Sequence, residues 1–305
     1  MSIRTSLLPL AAGLLGAAAL ASAQQSMMLP ENPSATKVSD HVYAIIGFPN
    51  IGFVVGTRGT LVVDTGLGPR NGAIVVREAE KLAKGPNLYL TTTHFHPEHA
   101  MGESAFPPRT VIIRDAVQQK ELEEHGEEMN NFFRRFSPEA KELLKDVKFR
   151  TPDITFDRDM TLDLGGVTAR LFWLGPAHTQ GDEMILVNPD SVLLSGDIVM
   201  NKVAPSLPSD QSSVQSWIDI LAKLEAMKPR EVVPDHFSLG DGSIIGIEHD
   251  MLLDMQQQTL KLKREGKSEE AAEKTITAYF KMKYPDWKTM GSVANIVKRT
   301  YAESK

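Results

Sequence analysis

The chain has 305 residues, a formal net charge of −6, 42% hydrophobic residues and no cysteine. With an acidic balance and no basic stripe, nucleic acid and anionic membrane surfaces are poor partners. No thiol means no disulfide and no thiolate to bind metal or attack a substrate, so any metal must be held by imidazole and carboxylate, a donor set suited to zinc, iron or manganese.

In chain order, residues 1–23 read as a signal peptide: Arg4 gives a positive start, residues 7–20 an apolar stretch, and Ala21-Ser22-Ala23 a small-residue cleavage signal. The stretch is shorter than the roughly 20 residues of a membrane span. Export, cleavage after Ala23 and a periplasmic or secreted location are expected. Residues 24–40 form a polar lead-in. Short apolar runs at 41–47, 52–56 and 61–63, punctuated by Gly, Asn and Pro, predict strands, and 71–84 predicts a helix stopped by Gly85-Pro86. A strand over 88–92 runs into Thr93-His94-Phe95-His96-Pro97-Glu98-His99, and another follows at 111–113. Residues 115–148 read as mostly helical, broken near Ser137-Pro138.

A second strand-rich part covers 160–164, 167–174, 184–187 and 192–194, followed by a helix over 213–227 and a strand over 231–233. From 244 onward the spacing predicts helices over 244–264, 268–281 and 287–300. Two strand-rich halves that each carry helices predict one α+β domain over 41–243, with two sheets packed face to face and helices outside. Residues 244–305 would be a helical extension, packed on that domain or used at a homodimer contact.

Three of the eight histidines, His94, His96 and His99, lie within six residues directly after a predicted strand. Neutral imidazole is a good ligand for a borderline metal. On an extended segment positions i and i+2 point the same way, so His94 and His96 can grip one ion. Pro97 then turns the chain and presents Glu98 and His99 elsewhere, where they can serve a second. His41, His125 and His249 read as structural or solvated.

The loop resembles the His-x-His-x-Asp-His signature of the metallo-β-lactamase superfamily. Four further motifs follow that family's order: Asp64-Thr65-Gly66, the run from Gly175 to Asp182 around His178, Ser195-Gly196-Asp197, and Val233-Pro234-Asp235-His236. The resemblance spans about 41–240 and implies a four-layer αββα sandwich with the metals at one edge. Carried over by position, it implies that His94, His96 and His178 hold one metal, that Glu98, His99 and His236 hold another, and that Asp197 bridges them. Asp64 would orient the loop. The expected cofactor is zinc, one or two per chain, with iron or manganese as alternatives.

Two departures stand out. Glu98 replaces the family's Asp; its extra methylene moves the carboxylate by about 1.5 Å, against a tolerance of about ±0.2 Å in ligand distance. Either the backbone compensates, or Glu98 leaves the second metal and acts as a base, with Asp197 the other catalytic carboxylate. A weak second site is the expectation. Asp235-His236-Phe237 stands where many members have Gly-His-Gly, and Phe237, Phe95 and Trp173 are candidate pocket walls, with core packing as the alternative.

The function expected is hydrolysis of an ester, lactone, thioester or amide of a small molecule by a metal-bound hydroxide. The alternatives are a β-lactamase, against which stands Asp197 where such enzymes usually carry Cys or Ser, and a metal- or ligand-binding protein with little turnover. The expected partner is a small-molecule substrate, with no nucleic acid and no stable membrane association after signal cleavage.

Overall fold

The computed structural model describes residues 26–207 and 212–304; the expected signal peptide lies outside them. The first sheet takes its seven strands in chain order: β1 (Thr36–Lys37), β2 (Val42–Ile45), β3 (Ile51–Val55), β4 (Gly59–Val63), β5 (Asn87–Thr91), β6 (Val111–Asp115) and β7 (Ile154–Phe156). β1 to β4 form an antiparallel meander, and β4 to β7 run parallel. Parallel neighbours need a crossover. α1 (Gly68–Leu82) supplies it between β4 and β5, while the short α2 (Pro97–Ala100) follows β5, and α3 (Ala116–Phe133) and α4 (Pro138–Leu143) follow β6.

The second sheet also follows the chain: β8 (Asp159–Asp163), β9 (Thr168–Trp173), β10 (Glu183–Asn188), β11 (Val192–Gly196), β12 (Glu231–Pro234) and β13 (Gly240–Asp241). Only β11 and β12 pair in parallel, joined by α5 (Val214–Met227). The tail forms α6 (Ser243–Arg264), α7 (Glu269–Lys283) and α8 (Val293–Glu303).

Strand alternation builds the layers. In β4, Leu61 and Val63 face the core between the sheets, where they meet Leu171, Ile185 and Leu194, whereas Val62 faces outward to Ile74, Val75 and Ala79 of α1. In β11, Val192 and Leu194 face the same central core and Leu193 faces outward to α5. The result is the helix–sheet–sheet–helix sandwich expected. On the second sheet's outer side, Trp217 and Leu221 of α5 share a core with Leu252 and Met255 of α6, Phe280 of α7 and Ile296 of α8. The tail therefore covers α5.

Local details differ from the sequence reading. α3 stops at Phe133, α4 restarts at Pro138, capped by the Ser137 hydroxyl, and residues 145–153 are irregular. The last helix begins at Val293, not at 287. Trp287 instead lies in a turn that includes Pro285 and, at Thr289, a left-handed residue with φ 54°, neither of which suits a helix interior.

Candidate metal centre

The loop after β5 is seated by the turn after β4. Asp64 adopts φ 70°, a conformation uncommon for a residue with a side chain. Its amide donates to the Thr91 carbonyl at 2.9 Å, and its Oδ1 accepts the Thr93 amide at 2.7 Å. Thr65 donates to the His99 carbonyl from its amide at 2.9 Å and from its hydroxyl at 2.7 Å. The Asp-x-Gly turn thus grips both ends of the histidine loop.

From the opposite sheet, β11 delivers Asp197 through Gly196, whose φ of 59° suits glycine. β12 delivers His236. Asn50 braces it from the β2–β3 turn, donating its amide to the carbonyls of Pro234 at 2.7 Å and Phe237 at 3.1 Å. His178 lies in the loop between β9 and β10, where Asp182 accepts from the amides of Ala177 at 3.1 Å and Thr179 at 2.9 Å.

All seven residues singled out from sequence are buried and meet at this edge. His94 Nε2 lies 2.9 Å from His96 Nδ1, which lies 3.4 Å from His178 Nε2. Asp197 spans the two sides, with Oδ2 3.4 Å from His178 Nε2 and Oδ1 3.4 Å from His236 Nε2. Glu98 Oε1 lies 3.7 Å from His99 Nε2. Possible ligand atoms of His94, His96 and His178 lie within 4.8 Å of one another, as do those of Glu98, His99 and His236, and of His94, His99 and Asp197. The backbone thus brings the longer Glu98 side chain to the second group.

Hydrogen bonds outside the cluster orient the rings. His178 Nδ1 lies 2.7 Å from the Ser206 carbonyl, so it carries the proton and leaves Nε2 as a lone pair facing inward. His99 Nδ1 lies 3.0 Å from Asp64 Oδ2; burial lowers this imidazole, but Asp64, Asp235 and Glu98 outweigh it and raise it well above the usual value, so a cation at Nε2 has to displace a proton. Burial, followed by the neighbouring imidazoles, lowers His94 and His96 well below the usual imidazole value, which favours the neutral, ligating form. Burial pushes Asp197 up, but His236, His178 and the other imidazoles outweigh it and hold the carboxyl at about 2. Burial raises Glu98 to about 7, opposed by His99.

The residues fit a metal. Glu98 Oε2, His99 Nε2 and Asp197 Oδ1 are buried without a hydrogen-bond partner, and burying unpaired polar atoms is costly. Inward-facing lone pairs around one point are satisfied together by cations.

Two supporting residues were not evident from sequence. The Thr93 hydroxyl lies 3.0 Å from Asp64 Oδ2 and 2.7 Å from Asp235 Oδ2, and Asp235 Oδ2 lies 3.3 Å from His99 Nδ1. Burial beside Asp64 raises Asp235 well above the usual carboxylate range, opposed by His99, which favours the protonated form and eases the repulsion between the two adjacent carboxyls. The acid preceding His236 was the available signal. Of the three aromatics read as walls, Phe237 lines a cavity beside Asp197 and His236. Phe95 instead packs in the core with Leu122 and Phe133, and the Trp173 indole donates to the Gln180 carbonyl at 2.7 Å. His41 pairs with Asp190 at 2.7 Å, away from the cluster.

A four-layer αββα sandwich with a buried imidazole–carboxylate cluster at one edge defines a metal-binding hydrolase class. Residues 45–236 match the model of the metallo-beta-lactamase superfamily, and the chain belongs to that family as a metallo-beta-lactamase-fold hydrolase. It is 22% identical over 242 residues to a metallo-beta-lactamase type 2 of Bacteroides fragilis, a match covering 73% of this chain and 86% of that one. Among solved structures, a metallo-beta-lactamase from Pontibacter korlensis is similar with a TM-score of 0.60 and 20% identity, covering 73% of this chain and 100% of that one. A stereoselective inverting sec-alkylsulfatase from Pseudomonas sp. is similar with a TM-score of 0.68 and 13% identity, covering 89% of this chain but only 50% of its own length. Among the described residues no helix is long and apolar enough to cross a membrane.

Proposed function

We propose that the protein is an exported zinc hydrolase acting on an ester, lactone, thioester or amide of a small molecule. The observation that carries this reading is the convergence of buried, unpartnered donor atoms from Glu98, His99 and Asp197 beside the His94–His96–His178 trio. In this reading His94, His96 and His178 hold one ion, Glu98, His99 and His236 hold a second, and Asp197 touches both. Bound zinc supplies a Lewis acid and lowers the pKa of water toward about 7. The chain's own contribution is orientation. Asp64 fixes the His99 tautomer, the Ser206 carbonyl fixes that of His178, and Asp182 holds the loop around it. The donor set without sulfur supports zinc but also accommodates iron or manganese. The apolar stretch 7–20 and Ala21-Ser22-Ala23 support export.

Elemental analysis, chelation with readdition of single metals, and hydrolysis of chromogenic esters, lactones and cephalosporins test the reading. Zinc-restored ester or lactone turnover is expected. Full activity in metal-free protein would sink it, and turnover confined to cephalosporins would turn it into a β-lactamase. A second reading, a sulfate-ester hydrolase, is favoured by one observation. The sec-alkylsulfatase match leaves about a tenth of this chain uncovered, too little to hold the whole tail beyond Gly242, whereas the β-lactamase match leaves about a quarter. Sulfate release from an alkyl sulfate separates the two.

A further inference from the structure

We propose that the C-terminal tail completes the substrate pocket, and that this pocket takes the apolar group of a small-molecule ester. The placement rests on the hydrolase reading, since the cavity opens from the metal cluster. A cavity of about 670 Å³ starts at Asp197 and His236 and reaches the turn between α7 and α8, where Trp287 and Lys288 line it. That volume suits a ligand of drug-like size.

The turn is fastened to the loop that descends from Asp197. Val203 and Lys288 form a parallel bridge. The Lys288 amide donates to the Lys202 carbonyl at 2.9 Å, and the Ala204 amide donates to the Lys288 carbonyl at 3.1 Å. The Ser292 hydroxyl donates to the Pro205 carbonyl at 2.7 Å. One connected backbone unit therefore carries both the bridging carboxylate and the far wall, which fixes the distance between them.

The two ends differ in chemistry. Asp197 and His236 form a polar floor. Above it, Phe48, Met200, Val203, Phe237 and Trp287 give apolar sides. Phe48 packs on the His236 ring with centroids 4.7 Å apart, carrying the apolar wall down to the cluster. Lys288 Nζ lies 6.0 Å from the Phe237 ring centroid. A substrate with its reacting group at the cluster thus projects its substituent between Phe237 of the sandwich and Trp287 of the tail. Alkyl or aryl substituents gain by burial against these apolar sides, while Asp286 and Lys288 leave the outer rim charged.

The test titrates acetate, butyrate, hexanoate and octanoate, the acids that ester hydrolysis would release, into the zinc-loaded full chain by calorimetry. Affinity is expected to rise about threefold per methylene from acetate to hexanoate. Trp287→Ala should flatten that rise to below about 1.5-fold while leaving acetate binding within about twofold, and Trp287→Phe should keep it. Should Trp287→Ala unfold the tail, Phe237→Ala on the opposite wall serves instead, with the same flattening expected. Binding independent of chain length in the wild type, an unchanged rise in both alanine variants, or no carboxylate binding at all would each overturn the proposal. The hydrolysis assay separates the two ideas: a chain-length rise without turnover defeats the hydrolase reading and leaves the pocket, and turnover without the rise does the reverse.

Discussion

Glu248 of α6 accepts a hydrogen bond from the Met200 amide at 2.6 Å, three residues beyond Asp197. A fully buried carboxyl from the tail thus anchors the segment that carries the carboxylate spanning both donor groups. Burial raises its pKa well above the usual 4.5. A carboxyl raised on folding contributes stability that is complete below about 4.5 and is lost as pH climbs through the folded value. The neutral Glu248→Gln variant lacks that loss. In chelated protein, its stability relative to wild type should therefore improve steadily from pH 5 to pH 8 in urea unfolding. A difference that stays flat with pH, or runs the other way, removes the protonated-carboxyl assignment. Glu248→Ala leaves the Met200 amide unsatisfied and should cost about 1–3 kcal/mol at pH 5, a cost that shrinks toward pH 8 because this variant also lacks the titrating carboxyl.

The two donor groups should be separable by metal counting. His178→Ala should remove one ion and His236→Ala the other, each lowering activity at least about 100-fold, while Asp197→Ala weakens both sites. Elemental analysis after dialysis at matched free metal reads this directly. Equal stoichiometry in all three variants would show that the ions bind elsewhere.

Glu98 gives a sharper test. The extra methylene of Glu98 predicts a weak second site. The backbone brings the Glu98 carboxylate to within 4.8 Å of the His99 and His236 ligand atoms, so shortening the side chain should pull it out of reach. Glu98→Asp should loosen the second ion by about 10–100-fold in calorimetric titration and leave the first unchanged. Tighter binding in the variant would support the weak-site expectation instead.

Removal of the tail should be costly. Truncation after Gly242 uncovers Trp217 and Leu221, which are fully buried against Leu252, Phe280 and Ile296. The shortened chain should be insoluble, and Leu252→Ala in the full chain should lower stability by about 2–5 kcal/mol. A truncated chain as stable as the parent would mean that the helices cover nothing essential.

The donor residues were legible because metal binding imposes residue type and spacing together. His94, His96 and His99 stand out by proximity, and His178, Asp197 and His236 by ordered motifs. The αββα layering was legible because two strand-rich halves each carry helices; the uninterrupted apolar run Leu61-Val62-Val63 is buried on both faces. Supporting contacts were not, since they depend on distant partners. Thr93 matters through Asp64 and Asp235, and Glu248 looks like any acid on a helix until its burial is seen. The turn at Trp287 was misread as helix because apolar spacing continues through it, although the chain is held there by contacts to Lys202 and Ala204.

Nitrogen and oxygen alone furnish the donor atoms of this centre, and the chain holds no cysteine at all. Peroxide, disulfide-forming catalysts and thiol-capping reagents act on sulfur, and none has a target among these ligands. With zinc bound, the cluster should therefore assemble identically in reducing and oxidising surroundings. Its occupancy would track acidity and metal supply, without the reductants that thiolate-ligated centres need to stay competent.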